Sequence, residues 1–268
     1  MKPAEILLVA LVVVGIGGAL LAAPSLAERA QVISLDMRLS PPGEAAMLGT
    51  DQLGRDIAAR VIAGAPWSLA VAGGATLIAL LLGTIAGLAA AEGEGWPRRI
   101  ILQLVTLVLS FPGLVAAVAA VAVLGQSSLS VLLVLGLLTW TLFARVIYAE
   151  AASVRSRDYV TAARLGGVGQ VRLMLRHVVP AIAPSLIAMT VFHFADMLVA
   201  ASALSFLGVG APLGAPAWGA MLAESRPYIY QAPWMLLVPV SALAGTVLLL
   251  NLLGDVVARR FGLAGRPT

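Results

Sequence analysis

Cysteine is absent from the 268 residues, which excludes disulfide bridges and thiolate-bound metals. Histidine occurs twice, at His177 and His193, and two such distant imidazoles without a thiol do not make a transition-metal site. Charge is scarce: Asp, Glu, Lys and Arg make up 11%, against about 25% in a soluble domain. What fills the chain instead is apolar, with hydrophobic residues at 60%. Such a composition belongs to a polytopic membrane protein. The formal net charge of +4 then reads as an orientation signal, not as a nucleic-acid surface.

A hydrocarbon core of about 30 Å takes about 20 helical residues. Six segments qualify: Ile6–Ala23, Ser68–Ala91, Ile100–Leu124, Leu129–Tyr148, Val178–Leu207 and Trp234–Leu253. The fold class is therefore all-α, with six transmembrane helices. The first segment has a rival reading as a signal peptide, because Ser25-Leu26-Ala27 follows it as a small-x-small site. Both readings put the chain outside from residue 24 onward. The fifth segment is long enough to tilt, or to break near Pro180 and Pro184.

Arginine sets the orientation. With the N-terminus inside, the inner segments hold Lys2, Arg98, Arg99, Arg145, Arg155, Arg157, Arg164, Arg172, Arg176, Arg259, Arg260 and Arg266. The outer segments hold Arg29, Arg38, Arg55, Arg60 and Arg226, offset by Glu28, Asp36, Glu44, Asp51, Asp56 and Glu224. The bias predicts both termini in the cytoplasm. No soluble domain is expected at either end, and no G-x-x-x-x-G-K-S/T loop for ATP is present.

The chain divides into a first helix at 1–23, an outer segment at 24–67, and a five-helix core at 68–268 with an inner loop at 149–177. In the outer segment, Leu53, Ile57 and Val61 recur every four residues, with Arg55, Asp56 and Arg60 on other faces. That pattern predicts an amphipathic surface helix over Leu53–Ile62, capped by Thr50 or Asp51. A second outer segment, Gly208–Pro233, is rich in Gly and Pro, and its Trp218, Tyr228 and Tyr230, with Trp234, suit a membrane interface.

The inner loop holds the long polar stretch of the second half. Asp158 is placed to cap a short helix from Tyr159, with Val160, Ala162 and Ala163 small or apolar; Gly166-Gly167 ends it, and Val168–His177 resumes as a second helix. A short exposed helix with small side chains fits a groove on a partner. An ordinary loop held by lipid headgroups explains the same residues equally well.

His193 and Asp196 are the deepest polar residues, three apart and so on one helix face. An ionisable group at this depth lines a wetted path or pairs with a neighbour. A position at an interface between two subunits, away from lipid, satisfies both. Ser110-Phe111-Pro112-Gly113 predicts a kink in the third span.

Four stretches resemble one known family. Thr161-Ala162-Ala163, three residues, Gly167, nine residues and His177-Val178-Val179-Pro180 match the EAA signature of permease subunits of ABC importers, with Thr161 where glutamate is common. Glu150-Ala151-Ala152 lacks the glycine at the right spacing. The stretch Leu48-Gly49-Thr50-Asp51-Gln52-Leu53-Gly54-Arg55-Asp56 resembles the LGTDxxGRD segment of the second permease of dipeptide, oligopeptide and nickel importers. Leu204–Gly210 with Pro216-Ala217-Trp218-Gly219, and then Asn251–Asp255, resemble that family's LSFLGLG…P-x-W-G and N-x-x-G-D stretches; Ala201 stands where a glutamate is frequent.

The resemblance implies a type I importer permease in the bacterial inner membrane, paired with a second homologous permease. One or two cytoplasmic ATPases would bind ATP and Mg, so this chain itself would be no enzyme and carry no cofactor. A periplasmic or lipid-anchored binding protein would deliver solute. It also implies that Asp158, Tyr159, Thr161, Ala162, Ala163, Arg164 and Gly167 form the coupling contact. The solute would be a small peptide or, given the His193–Asp196 pair, nickel or a metal chelate. A self-contained carrier or channel is the alternative, though no inverted repeat supports it; a non-transporting scaffold is a third.

Overall fold

Apolar runs set the helices of this computed structural model, and Gly, Pro and Ser residues end them. The structure describes residues 3–93, 95–211 and 214–262, so Lys2 and Arg266 lie outside the described residues. The helices are α1 Pro3–Leu26, α2 Ile57–Glu92, α3 Trp96–Leu109, α4 Gly113–Leu124, α5 Ser128–Arg155, α6 Asp158–Leu165, α7 Gln170–Leu173, α8 Val179–Phe206, α9 Trp218–Ser225 and α10 Trp234–Arg260. Among the described residues the only strand-like pairings are two isolated bridges. Five helices, α1, α2, α5, α8 with the turns before it, and α10, are long and apolar enough to span a bilayer. A sixth span exists only as the bent pair α3 and α4.

That pair departs from the expected kinked span. It turns by 90° at Ser110–Pro112. Pro112 lacks the N–H that would continue the ladder, and it precedes α4 in extended conformation at φ −61°, ψ 110°. Of the two outcomes open to the fifth span, the break at Pro180 or Pro184 is not observed: it runs continuously over Gln170–Phe206. A wider π turn at Met174–Val178 precedes Pro180, and there the Val179 N–H reaches back to the Met174 carbonyl. This local widening makes room for a ring that would otherwise crowd the preceding turn.

α2 is the central helix, and it packs along its length on α5. Lipid gives apolar helices no reason to associate, so the seam depends on close backbone approach between small residues. A methyl group on Gly83 would sit 2.4 Å from Phe143 Cβ, one on Gly87 2.7 Å from the Ala144 carbonyl, and one on Gly136 2.7 Å from Ile78 Cβ. Two core clusters lie on this seam. One, toward the end we call the cap, contains Ile57, Leu69, Val131, Leu198, Leu204 and Trp218. The other, toward the opposite or loop end, contains Phe143, Ile147, Val160, Leu173 and Ile182.

The expected surface helix at 53–62 is not observed. α2 starts at Ile57, with Asp56, not Thr50 or Asp51, as its N-cap accepting from the Ala59 N–H at 3.2 Å. It continues to Glu92, so the outer segment drawn at 24–67 divides at Asp56 and its last turns belong to the core. Ile57 and Arg60 are each 1% exposed. The arginine marked a buried charge network where its polarity had implied a solvent face.

Substitution of the seam glycines tests this packing. Gly83→Val and Gly136→Val each lose about 1–3 kcal/mol and lower the Tm in detergent by several degrees. Gly15→Val on α1, where nothing lies within 4 Å, leaves Tm unchanged.

Candidate functional site

At the cap end the chain between α1 and α2 folds back on itself through backbone bonds, Ser34 N–H to Leu53 O at 3.1 Å and Thr50 N–H to Ser40 O at 3.0 Å among them. Gly54 sits at the crossing with φ +73°, where a Cβ would lie 1.8 Å from the Ser34 carbonyl oxygen. Any side chain there meets both strain and collision. Gly49, with φ +81°, lies against the Trp234 indole, whose Nε1–H donates to the Thr50 carbonyl at 3.1 Å.

This turn presents Asp51 to two arginines. Arg55 Nε and Arg60 Nη1 each donate to Asp51 Oδ2 at 2.6 Å, while Asp51 Oδ1 accepts from the Leu53 and Arg55 amides. Glu224 of α9 completes the set: Arg60 Nη1 at 2.7 Å, Arg55 Nη2 at 3.0 Å and Gln52 Nε2 at 3.1 Å all reach its Oε2. Two guanidinium groups thus balance two carboxylates in a space that is nearly closed to water. Burial alone would push the Glu224 carboxyl up, but the hydrogen bond and charge of Arg60, with help from Gln52 and Arg55, hold it below the usual glutamate range. Asp56 carries a separate ion pair to Arg29 at 2.9 Å.

Sequence reading found Asp51, Arg55 and Arg60 but did not join Glu224 to them. The signal was slight: Glu224 is the one acid of the 208–233 segment. Trp218 is likewise no interfacial anchor: it is 4% exposed, its Nε1–H donating to the Val61 carbonyl at 2.8 Å. Of the aromatics expected at an interface, Tyr230 is the fully exposed one.

At the loop end, α6 stands out from the bundle. Val160 is its buried anchor, packed among Phe143, Ile147 and Leu173, and Ala163 is half-buried against the same cluster. Asp158, Tyr159, Thr161, Ala162, Arg164 and Leu165 are exposed. Asp158 is the first helical residue, and the preceding Arg157 holds the N-cap position without a side-chain cap, so the expected Asp158 cap is not formed. Gly167 takes φ +83° with open space around it and turns the chain toward α7. Val171 and Leu175 are exposed beside it, while Met174 and Val178 turn into the core.

His193 and Asp196 do not share an environment. His193 is 4% exposed, edge-on to Phe143 with ring centroids 4.9 Å apart. The Thr139 hydroxyl donates to the Leu135 carbonyl at 2.7 Å, so at 3.2 Å it accepts from His193 Nε2–H. This histidine fastens α8 to α5. Asp196, one turn further along α8, is exposed.

With the two ends in place, the comparisons are decisive. The profile of the family described as the inner membrane component of binding-protein-dependent transport systems matches residues 79–263. The chain belongs to this family. A di/tripeptide transport system permease protein of Pseudomonas aeruginosa is 37% identical over 226 residues, covering 82% of this chain and 75% of that protein. A glutathione transport system permease protein of Pectobacterium atrosepticum is 35% identical over 214 residues, covering 80% and 71%. A solved structure of the MetNI methionine ABC transporter in inward-facing conformation matches with a TM-score of 0.61 over 75% of this chain and 95% of that one; at 16% identity it speaks to the fold. In this permease the family match takes in α6 and everything through α10, while the charged turn at 48–56 lies ahead of it.

The charge network makes the cap acid-sensitive with a defined sign. A carboxyl held low in the folded state stabilises fully above the usual glutamate range and ceases to do so as pH falls through its folded value. Wild-type Tm in detergent therefore declines as pH drops below about 4.3. Glu224→Gln starts several degrees lower at pH 7, because both arginines lose a charged partner, and loses less on acidification.

Proposed function

We propose that this permease forms half of the membrane pathway of an importer for short peptides, alongside a second, homologous permease. The names of the relatives, a di/tripeptide system and a glutathione system, support the solute class. The alternative of nickel or a metal chelate drew on a histidine–aspartate pair. The burial of His193 against Thr139 and Phe143 removes that motive.

The observation that carries the coupling role is α6. It is a short helix held by one fully buried valine, with nearly all its other side chains free for a partner. Around it lie Arg157, Arg164, Arg172 and Arg176, so the surface is basic with apolar points at Tyr159, Leu165, Val171 and Leu175. One or two separate ATPase subunits dock here, bind ATP and Mg, and do the hydrolysis; this chain contributes the lever. The same arginines support a cytoplasmic loop end with both termini on that side. The cap end then faces outward, where exposed Val32, Ile33, Leu35 and Met47 offer an apolar surface to a binding protein. A self-contained carrier has no use for such an exposed helix.

Ala162→Glu and Leu165→Glu change side chains that touch little in the bundle. Each reduces ATP-driven uptake by about tenfold or more and weakens co-purification of the ATPase, while Tm stays within a few degrees of wild type. Normal uptake and co-purification by both variants overturns the coupling assignment.

A further inference from the structure

The bent pair α3–α4 leaves a groove along one face of α5. Two cavities lie in it and meet at Leu109. The first, about 280 Å³, is mostly apolar; Phe111, Leu138, Leu142 and Met197 are among its walls. The second, about 580 Å³, lies nearer the loop end, and its walls include Thr106, Ser110, Arg145 and Tyr148. Leu138, Leu142, Arg145 and Ala149 follow at helical spacing, so one stripe of α5 runs through both. The hydroxyls of these walls ask for no water. Thr106 donates to the Leu102 carbonyl at 2.9 Å, Ser110 to Thr106 at 2.8 Å and Thr139 to Leu135 at 2.7 Å, each within its own helix. The groove is therefore graded: charged near the loop end, and hydrocarbon-like toward the middle of the bundle.

Arg145 is the charged side chain of both walls. It is exposed and makes no ion pair or hydrogen bond among the described residues. The neighbouring carboxylates are engaged elsewhere: Glu150 lines a different cavity against α8, and Glu92 pairs with Arg155 at 3.5 Å. Two more arginines add to the positive field. Arg98 is held on the ring and hydroxyl of Tyr148, and Arg99 lines the next cavity around α3, which shares Thr106 and Ser110. The Arg98–Tyr148 contact also sets the depth. Trp96, 72% exposed, stands beside Arg98 in the first turn of α3, and exposed Trp with Arg marks a membrane–water interface. Arg145 is three residues from Tyr148 toward the cap, about 4.5 Å deeper. It lies within reach of the headgroup layer, yet deep enough that an unpaired charge is costly.

We propose that this groove is the seat of one anionic phospholipid, its phosphate on Arg145 and one acyl chain in the apolar cavity beyond Leu109. Basic pockets between helices at a membrane interface take anionic headgroups, and a guanidinium binds phosphate with charge-assisted hydrogen bonds. The graded walls match such a molecule from its headgroup to its tail. A lipid with a net negative headgroup is preferred over phosphatidylcholine, because the choline ammonium would lie in the field of Arg98, Arg99 and Arg145. The lipid fills the space under the bend of α3 and α4, and the seat is independent of the solute carried.

The test uses the whole complex, purified from native membranes with its co-purifying subunits and reconstituted into phosphatidylcholine vesicles. These contain a trace of phosphatidylglycerol, or of phosphatidylcholine, with a photoreactive group on one acyl chain. After illumination the labelled peptides of this subunit are identified by mass spectrometry. In wild type the phosphatidylglycerol probe labels the cavity walls at 108–116 and 135–142, and the phosphatidylcholine probe labels them several-fold less. Arg145→Gln lowers labelling by phosphatidylglycerol about tenfold, and Arg145→Lys restores most of it. Arg259→Gln, an exposed arginine at the end of α10 outside both cavities, leaves labelling at the wild-type level. Labelling of these walls that is equal for the two probes, or unchanged in Arg145→Gln, overturns the seat. Displacement of the probe by glycerol 3-phosphate as effectively as by unlabelled phosphatidylglycerol also overturns it, because the site then holds a free phosphate and no acyl chain. If the walls are labelled only in preparations that have lost the second permease, that subunit covers the groove and the seat is overturned. Where Arg145→Gln does not assemble, the wild-type ratio of the two probes decides, and a ratio near one overturns the seat.

Discussion

The close approach of α2 to α5 is the constraint on which the rest depends. In lipid, two apolar helices gain little from meeting unless their backbones come near enough for dense packing. Glycines at 83, 87 and 136 permit that approach, and each would be blocked by a single methyl group. Once α2 and α5 are joined, the positions of other parts follow. The groove face of α5 is turned toward the bent pair, and the end of α5 delivers α6 beyond the bundle. α8 is fastened to the same helix by the His193–Thr139 bond.

The cap solves a different problem. An irregular chain of about thirty residues carries many backbone polar groups, and charge pairing holds it in one arrangement. Asp51, Arg55, Arg60 and Glu224 bring the turn before α2 onto α9, which are distant in sequence. Taking four charges from water costs about as much as their attraction returns, so the network adds little net stability. Its value lies in register: with any one charge removed, the others are left buried and unmatched. Gly64, whose methyl would fall 1.7 Å from the Pro216 carbonyl oxygen, shows how closely Pro216 and Ala217 are pressed onto α2.

Much of this was legible in the sequence. Long apolar runs marked the spans, and Pro112 marked the bend, because neither signal depends on tertiary context. The glycine and aspartate pattern of 48–56 marked a fixed turn. What misled was polarity. Leu53, Ile57 and Val61 beside Arg55 and Arg60 imitate a surface helix, yet the arginines are satisfied by carboxylates, one of them more than 160 residues away. Spacing also joined His193 to Asp196, yet of the two only His193 is buried, while Asp196 is exposed. Periodicity places side chains around a helix; which of those faces meets a neighbour is decided by packing.

The two ends of the permease are linked through one continuous body. Val160 of α6 packs among Phe143 and Ile147 of α5, Leu173 of α7 and Ile182 of α8. Dense packing of this kind moves as a unit, since separating its members would open a cavity. A displacement of α6 is therefore passed to α5 and α8 together. Tilting the two antiparallel helices relative to the bent pair α3–α4 changes the width of the groove between them. In this geometry, a force applied at the loop end reaches the middle of the bundle through α5 and α8 without any residue of α6 approaching it.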